Sequence, residues 1–253
     1  MNLKKLLLGL TDGAVSLDEL PQFWDEYAQF YERLQVVPSY RDLSALLLDA
    51  LFPCPGGLVH DGGCGVGYYF ADILDRTQAV KLIGTDFSPE MLKRARHSAN
   101  KLSQECGAAL MVEVKHIDLV QDWPRGPFDA QIFQLVANFL PGTNWKRIID
   151  QSYRTTKPDG YLYTTTMLAG LSVQELAKKH ILHEALGSPL ASYPAMLKAR
   201  NTMKRFNKLA SNGHITQPCK QEYIAYHRQV GFQEVEVIGE AFWGAGIVVR
   251  ARR

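Results

Sequence analysis

The chain has 253 residues, 46% of them hydrophobic and 21% charged, with a formal net charge of +2. That length can bury a full core, and so balanced a charge gives no bulk signal for nucleic acid or a membrane surface. The four cysteines (Cys54, Cys64, Cys106 and Cys219) form no CxxC pair and have no histidine at ligand spacing, which points away from a zinc or redox site and fits a reduced, cytoplasmic setting.

The opening run Leu6-Leu7-Leu8-Gly9-Leu10 stops at Thr11-Asp12-Gly13, too short for an export signal, and no stretch approaches the roughly 18 apolar residues of a membrane span. From Phe23 to Leu34 the residues Phe23, Trp24, Tyr27, Phe30, Tyr31 and Leu34 recur at helical spacing and predict an amphipathic helix. A second helix is expected over Tyr40–Phe52, ended by Pro53-Cys54-Pro55-Gly56-Gly57, and Leu58–Asp61 then reads as the first strand. Beyond it the pattern alternates. A turn at Gly62–Gly67 leads to a helix ending near Arg76, a strand at Lys81–Thr85 and a helix through Leu102, with Ser88 as its N-cap and Pro89 at its first position. Strands follow at Met111–His116 and Phe128–Leu135, then a helix at Asn144–Thr156 and, after the turn Lys157-Pro158-Asp159-Gly160, a strand at Tyr161–Met167.

An extra segment occupies about Leu168 to Pro218. Ser172 and Glu175 make a capping box, Gly187 closes that helix, and another helix is expected from Tyr193 to Ala210. The chain ends as a helix over Lys220–Val230, with Gly231 as its stop, and strands at Gln233–Ile238 and Trp243–Arg250. A few residues cannot make a parallel crossover, so these two strands must be antiparallel. The expected fold is α/β: a Rossmann-like, doubly wound, mostly parallel seven-stranded sheet with an antiparallel last strand, an N-terminal helical lid and a helical insertion after the fifth strand.

Asp61-Gly62-Gly63-Cys64-Gly65-Val66-Gly67 lies between a strand and a helix, where bare backbone N–H groups can face a ligand. The spacing lacks the third glycine of the dinucleotide fingerprint, since Tyr68, Tyr69 and Phe70 follow, and no Gly-Lys-Ser/Thr completes a phosphate loop. The run Asp61-x-Gly63-x-Gly65-x-Gly67 instead resembles the first motif of the class I S-adenosylmethionine-dependent methyltransferases. The resemblance extends from about Trp24 to the C-terminus. It takes in Asp86 with Phe87-Ser88-Pro89-Glu90-Met91-Leu92, then Asp118-Leu119, Phe128–Leu135 and Lys157–Leu162. His60 and Gly62 depart from the apolar pair usual beside the motif aspartate, and Val66 stands where a small polar residue is common.

The resemblance implies one domain over 1–253, with N-terminal helices at 1–53, a cofactor-binding core at 58–167, a helical cap at 168–218 and the last helix and strands at 219–253. It implies S-adenosylmethionine as cofactor, S-adenosylhomocysteine as product and no metal. Asp86 would accept the ribose hydroxyls, Phe87 and Met91 would cover the adenine, and Asp118 with Leu119 would meet its amino group. Asp61, Gly63, Cys64, Gly65, Gly67 and Gln134 complete the expected cofactor site. Tyr27 and Tyr31 would close from the first helix, with Tyr31, Asn138 and Tyr193 on the substrate.

Transfer from a sulfonium is an in-line displacement, and a hydroxyl or ammonium acceptor needs a general base. Among His180, His183 and His214, His214 is the candidate because it sits on a loop, in Asn212-Gly213-His214. From Ala185 to Gln221 there is no Asp or Glu, whereas Lys198, Arg200, Lys204, Arg205, Lys208 and Lys220 are present. Such a run is a solvated helix face or an attractor for an anionic substrate. Val136-Ala137-Asn138-Phe139-Leu140-Pro141 lacks the Asn/Asp-Pro-Pro-aromatic pattern of enzymes acting on exocyclic base nitrogens. The expected partner is therefore a small molecule, with no nucleic acid and no membrane. RNA or protein methylation and a non-catalytic scaffold are the rival readings, and the oligomeric state is not legible.

Overall fold

The computed structural model describes residues 38–106, 111–140, 143–169 and 216–253, together with Trp24, Asp25, Ala28 and Tyr31. Those last four are helical, as the amphipathic pattern predicts. The remaining elements run α1 (Pro38–Asp49), β1 (Leu58–Gly62), α2 (Phe70–Thr77), β2 (Lys81–Asp86), α3 (Pro89–Cys106), β3 (Met111–His116), β4 (Phe128–Gln134), α4 (Asn144–Thr155), β5 (Thr156–Met167), α5 (Lys220–Val230), β6 (Glu236–Ala241) and β7 (Gly246–Arg252). Tyr193, His180, His183 and His214, and both helices expected within the insertion, lie outside the described residues, as does Tyr27.

The seven strands form one sheet in the order β3-β2-β1-β4-β5-β7-β6. β1 to β5 are mutually parallel where they pair, and β7 runs antiparallel to both β5 and β6. The reversal expected from the short connection between the last two strands is therefore present, and β7 is inserted between β5 and β6. The order reverses between β1 and β4, which opens a crevice at their carboxyl ends.

Two apolar layers sandwich the sheet. On one face Leu43 and Leu47 of α1, Phe70 and Ile73 of α2 and Leu92 and Ala95 of α3 pack on Val59, Leu82 and Ile132. On the other face Trp145, Ile148 and Ile149 of α4 and Tyr223 of α5 pack on Phe133, Leu162, Ile247 and Val249. The alternation of burial between neighbouring strand residues, such as Ile132 and Phe133, is the period-two pattern that places helices on both sides.

Local chemistry sets several boundaries. Ser88 accepts the Met91 N–H through Oγ (3.2 Å), the N-cap contact expected at the start of α3. Gly231 ends α5 at φ +124. Lys157–Gly160, expected as a turn before the fifth strand, is looped out within β5: Phe128 pairs with Thr156 and Ala130 with Tyr161, and Asp159 takes φ +64. At the other end of the sheet the last strand starts at Gly246 and not at Trp243, because Phe242–Gly244 form a tight helical turn.

Candidate active site

β1 and β2 end side by side, with Gly62 paired to Thr85, so Asp61 and Asp86 arrive together at the carboxyl edge of the sheet. The chain then turns through Gly63 (φ +68), Gly65 (φ +55) and Gly67 (φ +69) before α2 begins. Left-handed backbone at three positions in five is open to glycine at little cost and strained for other residues. The turn is pinned to β2 from both sides of its apex: Cys64 N–H donates to Thr85 O (2.9 Å) and Gly65 N–H to Asp86 Oδ2 (3.0 Å). Ser88 N–H donates to the other carboxylate oxygen, Oδ1, at 2.9 Å.

Both carboxyls are buried, Asp61 at 7% and Asp86 at 9% exposure. Burial, and then the proximity of Asp86, pushes the Asp61 carboxyl up to about 8. Burial also raises Asp86, against the pull of the Ser88 and Gly65 N–H groups. Neither forms an ion pair with a lysine or arginine among the described residues. Two buried acids beside each other favour a cationic guest, which would replace the proton that burial otherwise retains.

The N-terminal helix roofs this corner through three residues. Asp25 Oδ1 accepts the Ser88 Oγ–H (2.5 Å) and the Glu90 N–H (3.3 Å). Tyr31 lies over the glycine turn, so close that a Cβ on Gly65 would meet its ring at 3.2 Å, and its hydroxyl is 3.1 Å from that of Tyr40. Trp24 meets Phe139 edge to face with ring centroids 4.7 Å apart. Asp25, Trp24 and Phe139 were not singled out in the sequence, and neither a lone acid nor an aromatic at core spacing is a signal for such a role.

The structure thus brings together Asp61, Gly63, Gly65, Gly67, Asp86 and Tyr31. Phe87 is half-buried and follows Asp86 directly, and Met91 is buried within the first turn of α3. Asp118 lies just past the end of β3, beside β2 because Ile117 N–H donates to Asp86 O (3.0 Å), and its Oδ1 accepts the Val120 N–H (2.9 Å). Gln134 ends β4 and donates from Nε2 to Ser44 Oγ (2.6 Å).

At three of the expected positions the side chain is held by the protein itself. Cys64 turns its thiol into the core beneath Gly84, so only its backbone faces outward from the turn. Leu119 packs with Phe133 in the opposite layer. Asn138 is spent on the protein: Nδ2 donates to Met167 O (2.9 Å) and Thr216 O (2.7 Å), while Oδ1 accepts from Met167 N–H (2.8 Å) and Thr166 Oγ–H (3.3 Å). A primary amide has two donor hydrogens and two acceptor sites; both donors and at least one acceptor site are engaged with the protein here, the Thr166 hydroxyl being shared between Asn138 Oδ1 and Met167 O.

His60 stands where an apolar residue is usual beside the motif aspartate. Its side chain is fully buried, Nδ1 lies 3.2 Å from Gln131 Oε1 and Nε2 lies 2.9 Å from Thr85 Oγ1, so it ties β1 to β4 and β2 one residue before Asp61. The ring stacks on Phe128 with centroids 5.1 Å apart, and burial lowers its basicity to about 4, which keeps it neutral.

Comparison with known proteins agrees with this geometry. Residues 59–160 match the family described as "Methyltransferase domain". A malonyl-[acyl-carrier protein] O-methyltransferase of Serratia marcescens is 28% identical over 136 residues, covering 54% of this chain and 48% of that protein. The chain therefore matches about half the length of this curated relative. Among solved structures, the N-methyltransferase NodS of Bradyrhizobium japonicum with S-adenosylhomocysteine has a TM-score of 0.56 at 16% identity, covering 87% of this chain and 90% of NodS. A DhpI-SAM-HEP complex has a TM-score of 0.60 at 15% identity, covering 96% of this chain and all of the other. With a methyltransferase-domain profile matching residues 59–160, the seven-stranded sheet with its reversed β7, and the glycine turn between Asp61 and Asp86, the chain is similar in this region to methyltransferase domains and shares the fold of S-adenosylmethionine-dependent methyltransferases.

Proposed function

We propose that this protein transfers the methyl group of S-adenosylmethionine to a small-molecule acceptor in the cytoplasm. The observation that carries the reading is the pair of buried carboxyls, Asp61 and Asp86, at adjacent strand ends around a turn of bare left-handed backbone. That arrangement suits a ligand with positive charge and vicinal hydroxyls, and S-adenosylmethionine has both. When bound, the cofactor supplies an electrophilic methyl on a sulfonium.

The chain's own contribution is orientation and exclusion of water. Gly65 and Ser88 hold the Asp86 carboxylate from two sides, so it is fixed before a sugar arrives. The Tyr31 ring over Gly65 and the Trp24–Phe139 contact cover the crevice, which keeps water from the reacting atoms. An acceptor with a hydroxyl or ammonium must lose a proton, and His214 is the candidate base. The S. marcescens relative is an O-methyltransferase by name and NodS an N-methyltransferase, so oxygen and nitrogen are the acceptor atoms to test first.

The test is calorimetry with S-adenosylmethionine and S-adenosylhomocysteine, followed by assay of S-adenosylhomocysteine release with small phenols, amines and carboxylates. Binding of both ligands and turnover with at least one acceptor class are expected. No binding of either ligand at any attainable concentration would sink the reading. Turnover only with RNA, with the steep salt dependence of phosphate contacts, would replace the small-molecule acceptor.

A further inference from the structure

His60 and Gly62, the two residues that stand where an apolar pair is usual beside the motif aspartate, are coupled in space. Side chains two apart on a strand share a face, so both positions lie on the α4 side of β1, beneath the glycine turn. A Cβ on Gly62 would meet the Phe133 ring at 2.1 Å. The bare position lets that ring reach the His60 imidazole edge to face, with centroids 5.4 Å apart. Trp123 at 5.7 Å and the stacked Phe128 at 5.1 Å complete an aromatic surround.

A ring so enclosed needs both nitrogens bonded, and the direction of each bond follows from the neighbours. Gln131 Nε2 faces the Ser152 carbonyl (2.9 Å) and Thr156 Oγ1 (2.7 Å), whose own hydroxyl donates to Ser152 O. That orientation leaves Gln131 Oε1 to accept, so His60 Nδ1 carries the hydrogen and Nε2 accepts the Thr85 hydroxyl. Thr85 extends the path to the cofactor turn: its carbonyl accepts the Cys64 N–H (2.9 Å), and the next residue, Asp86, accepts the Gly65 N–H (3.0 Å).

The location explains why such a tie is useful. β1 and β4 pair over only Val59–Asp61, the shortest ladder in the sheet, because the crevice opens between them. His60 and Gln131 are directly opposite each other in that ladder. An apolar side chain at position 60 would fill the space, but its contacts carry no direction and would not fix how the strand ends spread.

We propose that His60 is a positioning residue of the cofactor site: through Gln131 and Thr85 it holds the ends of β4, β1 and β2 at the spacing at which Asp61, Asp86 and the glycine turn receive the nucleoside. The inference rests on the methyltransferase reading and adds to it a fully buried residue that acts from beneath the site.

The experiment measures S-adenosylhomocysteine affinity by calorimetry, alongside Tm, on variants of the full chain at a temperature where each is folded. His60→Leu removes both bonds, Thr85→Val removes the hydroxyl and keeps the carbonyl, and His60→Gln keeps one donor and one acceptor. His227→Leu is the matched control, because His227 is equally buried but lies 2.8 Å from Tyr223 O and 3.5 Å from Thr164 Oγ1 of β5. His60→Leu and Thr85→Val each bind about tenfold more weakly than wild type, and His60→Gln returns to within about threefold. The double variant His60→Leu/Thr85→Val is within about threefold of either single one, since both break the same path. His227→Leu loses a comparable amount of Tm and binds within about twofold of wild type. Equal affinity of His60→Leu and His227→Leu overturns the proposal, as does a double variant weakened about 100-fold. His60→Gln binding no tighter than His60→Leu also overturns it. Should His60→Leu not fold, Thr85→Val decides alone, and wild-type affinity in that variant is the overturning result. Failure of wild type to bind S-adenosylhomocysteine removes the methyltransferase reading itself, whereas wild-type binding that neither His60→Leu nor Thr85→Val alters removes this inference alone.

Discussion

Gly65 is constrained twice, by its φ of +55 and by the Tyr31 ring standing 3.2 Å from where a Cβ would be. Gly65→Val must pay the left-handed penalty, on the order of 1–2 kcal/mol, and push Tyr31 from the turn. Calorimetry on this variant should show affinity for S-adenosylhomocysteine reduced at least about 100-fold, since the backbone approach and the roof are both lost. Asp86→Ala removes the acceptor of two N–H groups and is expected to cost affinity on a similar scale, about 2–3 kcal/mol, because a charged hydrogen-bond partner is lost. Either variant binding as wild type does would contradict the site. Asn138 provides the contrast. Asn138→Ala strands Met167 N–H and the carbonyls of Met167 and Thr216, so it should destabilise the fold by about 3 kcal/mol and lower Tm by roughly 6–12 °C. Cofactor affinity of the folded fraction should change little. A variant with unchanged Tm and reduced turnover would instead restore Asn138 to the substrate.

At the scale of elements, the N-terminal helix is joined to α3 through Asp25, which accepts from Ser88 Oγ and from the Glu90 N–H in the first turn of that helix. An acid at a helix N-terminus meets both free N–H groups and the positive end of the dipole. Ser88 in turn donates its N–H to Asp86, so the latch and the Asp86 carboxylate share one residue. Asp25→Ala should therefore speed dissociation of S-adenosylhomocysteine, by roughly 5- to 10-fold for the loss of its partly exposed charged contacts to Ser88 and Glu90. Stopped-flow displacement measures this, and an unchanged off-rate would show that the helix does not gate the site. The same region shows what local sequence can reveal. The glycine turn, the Ser88-Pro89 start signal and the acid ending β2 are each set by neighbours within a few residues, and they stand where the pattern predicts. The bonding of Asn138 is not legible locally because its partners lie 28 to 78 residues away, and a polar residue after a strand looks the same whether it binds ligand or protein. The bonding of His60 is hidden for a like reason: Thr85 and Gln131 become its partners only when β2 and β4 flank β1. Trp243 reads as the start of a strand since its left-handed backbone is imposed by the fold and not by residue type.

Across the whole molecule, buried titratable groups set opposing dependences of stability on pH. His60 and His227 are both lowered to about 4 by burial, so between pH 4 and 6.5 the unfolded chain takes up protons that the folded chain refuses. Stability from these two groups falls as pH drops through that window. Asp61, raised to about 8, works in the other direction: the folded protein keeps a proton that the unfolded chain has lost above about 4. Its contribution is greatest at low pH and is lost as pH rises toward and past 8. Asp86, raised as well, acts in the same sense as Asp61. Removing one acid should expose the histidine term. Asp61→Asn is expected to lose stability more steeply than wild type on acidification below pH 6.5, and to gain relative to wild type as pH rises from 5 to 9, because no charge then has to be buried. Denaturant midpoints at pH 5, 7 and 9 measure the gap between the two proteins. A gap that stays constant over that range would mean that Asp61 carries its charge throughout, and the argument that a cationic ligand replaces its proton would fall with it.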